Sequence, residues 1–138
     1  MSSKLLLRIA AIIMLLHTVG HSMAAFSWKT DVPPVISQVI LDMQSHHFNF
    51  MGRSVSMALF YEGYGFTMIF VLLMVAIWLW LLAGNTDVPL AYRMLVVLFL
   101  FLVAQSAIEF YYFFPFAAAF SFISAVLSGI ALLKMRRR

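Results

Sequence analysis

The stretch MALFYEGYGFTMIFVLLMVAIWLWLLAGNTD, Met57 to Asp87, decides the fold. After Glu62 it carries no charged side chain until Asp87. Its apolar run, about Met57 to Ala83, exceeds the roughly 20 residues that a helix needs to cross a bilayer. The tetrapeptide GNTD then closes it with a turn signal. Working outward, three further runs have the same character. One covers about Leu5 to Phe26, one about Leu90 to Phe113, and one about Pro115 to Leu133. Asp87 is placed to cap the third helix, with Pro89 in its first turn, and Pro115 breaks the third run and opens the fourth.

Composition agrees. Of 138 residues, 64% are hydrophobic and only 10% charged, where an ordinary soluble domain is about a quarter charged. The expected fold is therefore an all-α membrane protein, an antiparallel bundle of four transmembrane helices in one domain, 1–138. There is no internal repeat. The chain has no cysteine, which excludes a disulfide framework and thiol chemistry. The net charge of +4 is no sign of nucleic-acid binding, because Lys134, Arg136, Arg137 and Arg138 cluster at the end of a hydrophobic helix. That placement reads as topology and headgroup contact.

The small residues of SMAA, after the first run, suggest a signal-peptide cleavage point. A cleaved apolar region is short and uniform, however, and this run carries His17 and His21 on one helical face, so a retained helix is expected. With the N-terminus inside, the inner face holds Lys4, Arg8, Arg93, Lys134, Arg136, Arg137 and Arg138. The outer face holds only Lys29 and Arg53. This bias places both termini on the cytoplasmic side of the membrane. Phe26, Trp28, Tyr61, Tyr64, Tyr111 and Tyr112 then form an outer aromatic belt, and Trp78, Trp80 and Tyr92 an inner one.

The outer connection between the first two long helices is the only long one. Asp31, Pro33 and Pro34 signal a helix start, and Val35, Ile36, Val39, Ile40 and Met43 recur at helical spacing. These residues predict a short amphipathic helix in the interface over about 33–47. If it continues that far, His46 and His47 follow its apolar stripe towards the bundle.

Polar groups gather in the outer half. His17 and His21, four apart, share a face of the first helix. Glu62 lies near the outer start of the second long helix, and Arg53 and Asn49 in the approach to it. Glu109 lies near the outer end of the third, with Gln105 and Ser106 extending its polar face inward. Ionisable groups at membrane depth face a bundle interior or a wet cavity and mark function by default. These residues predict an outward-opening polar pocket. His17, His21, His46, His47, Arg53 and Gln105 are its candidate ligand-binding residues, and Glu109, Glu62 and His17 its candidate acid–base residues. Alternatively Glu62 makes a salt bridge with Arg53 or Lys29 that only holds the loop. On the fourth helix Ala117, Ser121, Ala125, Ser128 and Gly129 indicate close helix packing.

The segments LHTVGH (16–21), MQSHHFNFMG (43–52) and RSVSMALFYEGYGF (53–66) resemble a family of small four-helix bacterial membrane proteins. The resemblance covers most of the chain and implies that architecture, but brings no activity. In outline the chain is also similar to the DoxX-like group and to emopamil-binding-type sterol isomerases, which place His and Glu in a bundle cavity.

Three functions compete. The first is a pocket for an apolar small molecule such as a lipid, a sterol-like compound or a quinone, in which a carboxyl group and a histidine exchange a proton. The second is a metal site. His17, His21, His46 and His47 are candidate ligands for Zn, Fe or Cu, or a pair of them for haem. A di-iron desaturase needs about twice as many histidines. The third is a non-enzymatic accessory subunit whose polar cluster only locks the bundle. Membrane lipid is the expected surrounding, and no protein partner is indicated.

Overall fold

The computed structural model describes residues 1–136. Arg137 and Arg138, two of the inner-face cations, lie outside the described residues. In chain order the elements are helix α1 (Ser3–Ser27), helix α2 (Pro34–Ser45), strands β1 (His47–Phe50) and β2 (Arg53–Ser56), and helices α3 (Met57–Gly84), α4 (Pro89–Tyr112) and α5 (Pro115–Arg136). The four long apolar helices expected from the sequence are present, each long and apolar enough to cross a membrane. Only 28–33% of each apolar window is buried inside the molecule, which leaves side chains such as Phe70, Val97 and Phe116 on the surface.

Prolines set several boundaries. Pro34, Pro89 and Pro115 each open a helix, where the missing N–H costs nothing. The N-cap of α4 is Val88 rather than Asp87, and no side chain caps it. The reason is local: a residue before proline is driven out of the α region, and Val88 sits at φ −91°, ψ 127°.

Contacts divide the chain into two compact units. The first comprises residues 1–18 and the described residues from Val71 onward. Its core is a set of seams. Leu7, Ala10 and Met14 of α1 lead to His17; Leu95, Leu98 and Leu102 of α4 lead to Gln105 and Glu109. These steps of three and four keep one helical face towards the neighbours. The α5 seam is small throughout: Ala118, Ser121, Ala125, Ser128 and Ala131 are buried. Small side chains let backbones approach, and hydroxyls then reach carbonyls of the next helix. Ser124 Oγ donates to the Ala10 carbonyl at 3.4 Å, Ser3 Oγ to that of Ala131 at 3.5 Å, and Ser106 Oγ to that of Ala118 at 3.3 Å. At Gly129 a Cβ would lie 3.1 Å from Cε2 of Phe99, so glycine is what allows that ring to sit on α5. The Arg8 guanidinium lies over the Trp80 ring, 5.1 Å from its centroid.

The second unit, Val19–Phe70, holds the end of α1, α2, both strands and the start of α3. Here the helix expected over about 33–47 is present but ends before the two histidines. α2 stops at Ser45, His46 adopts extended backbone, and His47 opens β1. The segment to Ser56 is an antiparallel hairpin pairing His47 with Ser56, Phe48 with Val55, Asn49 with Ser54 and Phe50 with Arg53. Its two-residue turn has positive φ at Met51 (50°) and Gly52 (84°), the pattern of a type I′ turn, whose twist suits a hairpin. Asn49 Oδ1 accepts a bond from the Gly52 N–H at 3.0 Å and braces the turn. Alternation puts Phe48, Phe50, Arg53 and Val55 on one face. That face meets α3: the Phe60 ring is 6.2 Å from Phe48 and 5.5 Å, edge-on, from Phe50.

Candidate functional site

The polar residues of the first unit converge where its seams end. His17, Gln105, Ser106 and Glu109 are all at least nine-tenths buried. Each is the next step along a seam that is otherwise Leu, Met and Ala, so the helices that pack the core also aim these groups inward. Gln105 Nε2 donates to Glu109 Oε1 at 2.7 Å, a bond one helical turn long within α4. His17 Nε2 on α1 lies 3.7 Å from the same oxygen. That is the range of an ion pair with a protonated imidazole, and too long for a hydrogen bond between those two atoms. Phe120 of α5 stacks on the imidazole, with centroids 5.3 Å apart and planes at 25°, and Phe116 packs edge-on against Phe120 at 5.2 Å. Three helices therefore build one array: a carboxyl group, an amide that orients it, an imidazole beside it, and an aromatic ring covering the imidazole.

Chemically the array can pair a protonated imidazole with a carboxylate across that 3.7 Å gap. It can also offer a donor or an acceptor to a polar head brought between α1 and α4. Sequence reasoning named His17, Gln105 and Glu109 but not Phe120, since only the crossing of α1 and α5 identifies the ring over His17.

The remaining candidates belong to the second unit. His21 Nε2 is 3.0 Å from the Gly65 carbonyl. A carbonyl only accepts, so Nε2 carries the proton and donates. The contact is possible because α1 and α3 approach closely there: a Cβ on Gly65 would lie 3.5 Å from that of Ala25. Glu62 makes its ion pair with Lys29, not Arg53. Lys29 also lies over the Trp28 ring, which packs on Tyr61 at 4.7 Å.

No protein-family model, curated protein or solved structure matches this chain.

His46 and His47 do not continue an apolar stripe; both are exposed. Their Nδ1 atoms turn back on the chain, His46 to the Asp42 carbonyl at 2.9 Å and His47 to that of Ser45 at 3.2 Å. Both act as the local closure that turns α2 into β1. Among the described residues no group of three or more His, Asp and Glu is gathered as metal ligands. Among the described residues, one surface groove holds about 460 Å³ and another about 400 Å³. The first is lined by residues of β2 and α3, the second by Thr86–Pro89, Tyr92, Arg93 and Met135; neither is lined by the His17–Glu109 array.

Proposed function

We propose that this is an integral protein of a bacterial cytoplasmic membrane, its four long helices forming an antiparallel bundle with both termini in the cytoplasm. In that bundle His17, Gln105 and Glu109 bind the polar head of an apolar small molecule of the lipid or quinone class. The observation that carries the reading is a histidine and a carboxyl group on different helices, buried beside one another at 3.7 Å at the end of apolar seams. Ionisable groups so placed are expensive in hydrocarbon and serve a ligand, a proton or each other. The charge bias of the sequence supports the orientation, and it puts the array in the outer half of the bilayer. The resemblance to small four-helix and DoxX-like membrane proteins supports the architecture alone.

In this reading Phe116 and Phe120 form the aromatic side of the site. A ligand ring enters from the lipid and takes the place of Phe120 over the imidazole. His17 Nε2–H then donates to a carbonyl on the ligand, or the Glu109 carboxylate accepts from a hydroxyl, while Gln105 keeps Oε1 in position. Proton transfer between the bound polar head and His17 or Glu109 is the chemistry this reading assigns to the site.

The test uses protein purified into lipid nanodiscs, with bound small molecules identified by mass spectrometry. Wild type should retain a quinone or a defined lipid, and Glu109→Gln, which keeps shape and one acceptor but loses the titratable proton, should lose it without unfolding. A second reading has its own support, since Phe120 covers His17: the pair is then a lock between α1 and α4 in an accessory subunit. Equal ligand content in wild type and Glu109→Leu would favour it.

A further inference from the structure

We propose a second, separate site in this protein: a groove between the hairpin and the start of α3 that binds one anionic glycerophospholipid, with the phosphate on Arg53. The groove, about 460 Å³, is lined by Arg53, Val55, Leu59, Phe60, Gly63, Tyr64 and Thr67. Arg53 and Val55 lie on one face of β2, and the other five form a stripe along α3 at helical spacing. One end is therefore cationic, and the wall leading away from it is apolar and aromatic. No acid lines the groove. The acid nearest in sequence on α3, Glu62, is taken by Lys29, which leaves the Arg53 guanidinium with no ion pair among the described residues.

Three details shape the groove for a chain with a charged head. Gly63 opens its floor, since a Cβ there would meet nothing within 4 Å. Thr67 satisfies its own hydroxyl on the Gly63 carbonyl at 2.8 Å, so this wall makes no unmet polar demand on an acyl chain. Phe50 pairs with Arg53 across the hairpin and packs edge-on to Phe60, which anchors the backbone that carries Arg53 against α3. A guanidinium binds phosphate through two parallel N–H donors, and the Tyr64 hydroxyl adds a third within the same lining. The charge complementarity fits an anionic lipid rather than a zwitterionic one, whose choline would bring a second cation towards Arg53.

The test is native mass spectrometry of the full chain released from nanodiscs holding equal phosphatidylglycerol and phosphatidylcholine. Wild type should carry one phosphatidylglycerol in clear excess over phosphatidylcholine. Arg53→Gln should cut that preference about fivefold, and Arg53→Lys should keep most of it. Gly63→Leu, which fills the groove while leaving Arg53, should lower occupancy by either lipid, with the melting midpoint confirming that the variant is folded. Inorganic phosphate added at millimolar concentration should not displace the lipid. No preference in wild type, an unchanged preference in Arg53→Gln, or displacement by phosphate with no effect of Gly63→Leu would each overturn the proposal. The last of these identifies a bare anion contact. The array of the first unit is untouched by these variants, so ligand retention there reports independently.

Discussion

The pairing of His17 with Glu109 makes a quantitative prediction. At 3.7 Å a fully charged pair attracts by about 4.5 kcal/mol at an effective dielectric of about 20. If the imidazole is neutral, only a dipole faces the carboxyl group and the interaction falls to about 1 kcal/mol, the scale of a single ordinary polar contact. A double-mutant cycle separates these cases. Glu109→Gln keeps an acceptor for the Gln105 amide, which donates at 2.7 Å, so it removes charge with little change in shape. His17→Phe keeps a ring for Phe120 to stack on. Each single variant and the double would be unfolded in mixed micelles, with helix content read by circular dichroism. The coupling energy should be about 1–3 kcal/mol, towards the top of that range for the charged pair. A coupling below about 0.5 kcal/mol would mean the two residues are neighbours without interaction, and the array would lose its physical basis. Glu109→Leu adds a control, because a buried pair replaced by apolar groups can be neutral or stabilising, whereas losing one partner costs about 3–5 kcal/mol. Wild-type stability in Glu109→Leu alone, with His17 intact, would contradict the pairing.

Other consequences are more local. Gly129→Ala should cost under about 1 kcal/mol, because the Phe99 ring edge that its Cβ would meet at 3.1 Å can give way, while Gly129→Leu should cost about 1–3 kcal/mol through overpacking, both read from unfolding midpoints. Met51 is almost fully exposed and holds positive φ, so Met51→Asn should relieve about 1 kcal/mol of backbone strain and slow hydrogen exchange at the paired hairpin amides about fivefold, with Met51→Val acting in the opposite direction. Reporter fusions should place Arg138 in the cytoplasm and the segment Pro33–Gln44 outside; a periplasmic C-terminus would refute the orientation argued from the charges.

What the sequence made legible follows from the range of each signal. Length and unbroken apolarity are local properties, so the four long helices could be read directly. Proline marks helix starts with equal economy, but it also acts on the residue before it. That is why Val88, not Asp87, became the N-cap of α4. The hairpin was missed because His46 and His47 fall two turns beyond Val39 and Ile40, and the helical period was carried one element too far. A competing signal was present. Phe48-Asn49-Phe50 and Ser54-Val55-Ser56 alternate on either side of Met51-Gly52, the pattern of two strands and a two-residue turn. At the site, the depth of Glu109 and its spacing from Gln105 were visible on one helix. Which imidazole meets Glu109, and which ring covers it, depends on the crossing of α1, α4 and α5, and no window of sequence encodes that.

The seams of the first unit bear on why an ionisable pair is there at all. In hydrocarbon, helices gain no hydrophobic drive from meeting, and their register must come from packing and polar contacts. The hydroxyls already supply that register: Ser3, Ser106 and Ser124 each tie one helix to a carbonyl of another. Ser121 and Ser128, fully buried and with no hydrogen-bond partner for Oγ among the described residues, serve instead as small side chains that let α5 sit close. Helices held in this way have no need of a carboxyl group and an imidazole, whose burial costs far more than that of a hydroxyl. Leucine at 109 would continue the Leu95–Leu98–Leu102 seam, and leucine at 17 would continue Leu7–Met14. The chain departs from that pattern on two helices at the same level, and it departs towards groups that exchange protons. The costliest polarity beyond what packing requires therefore lies at His17, Gln105 and Glu109, and that is where a ligand or a proton should be sought first.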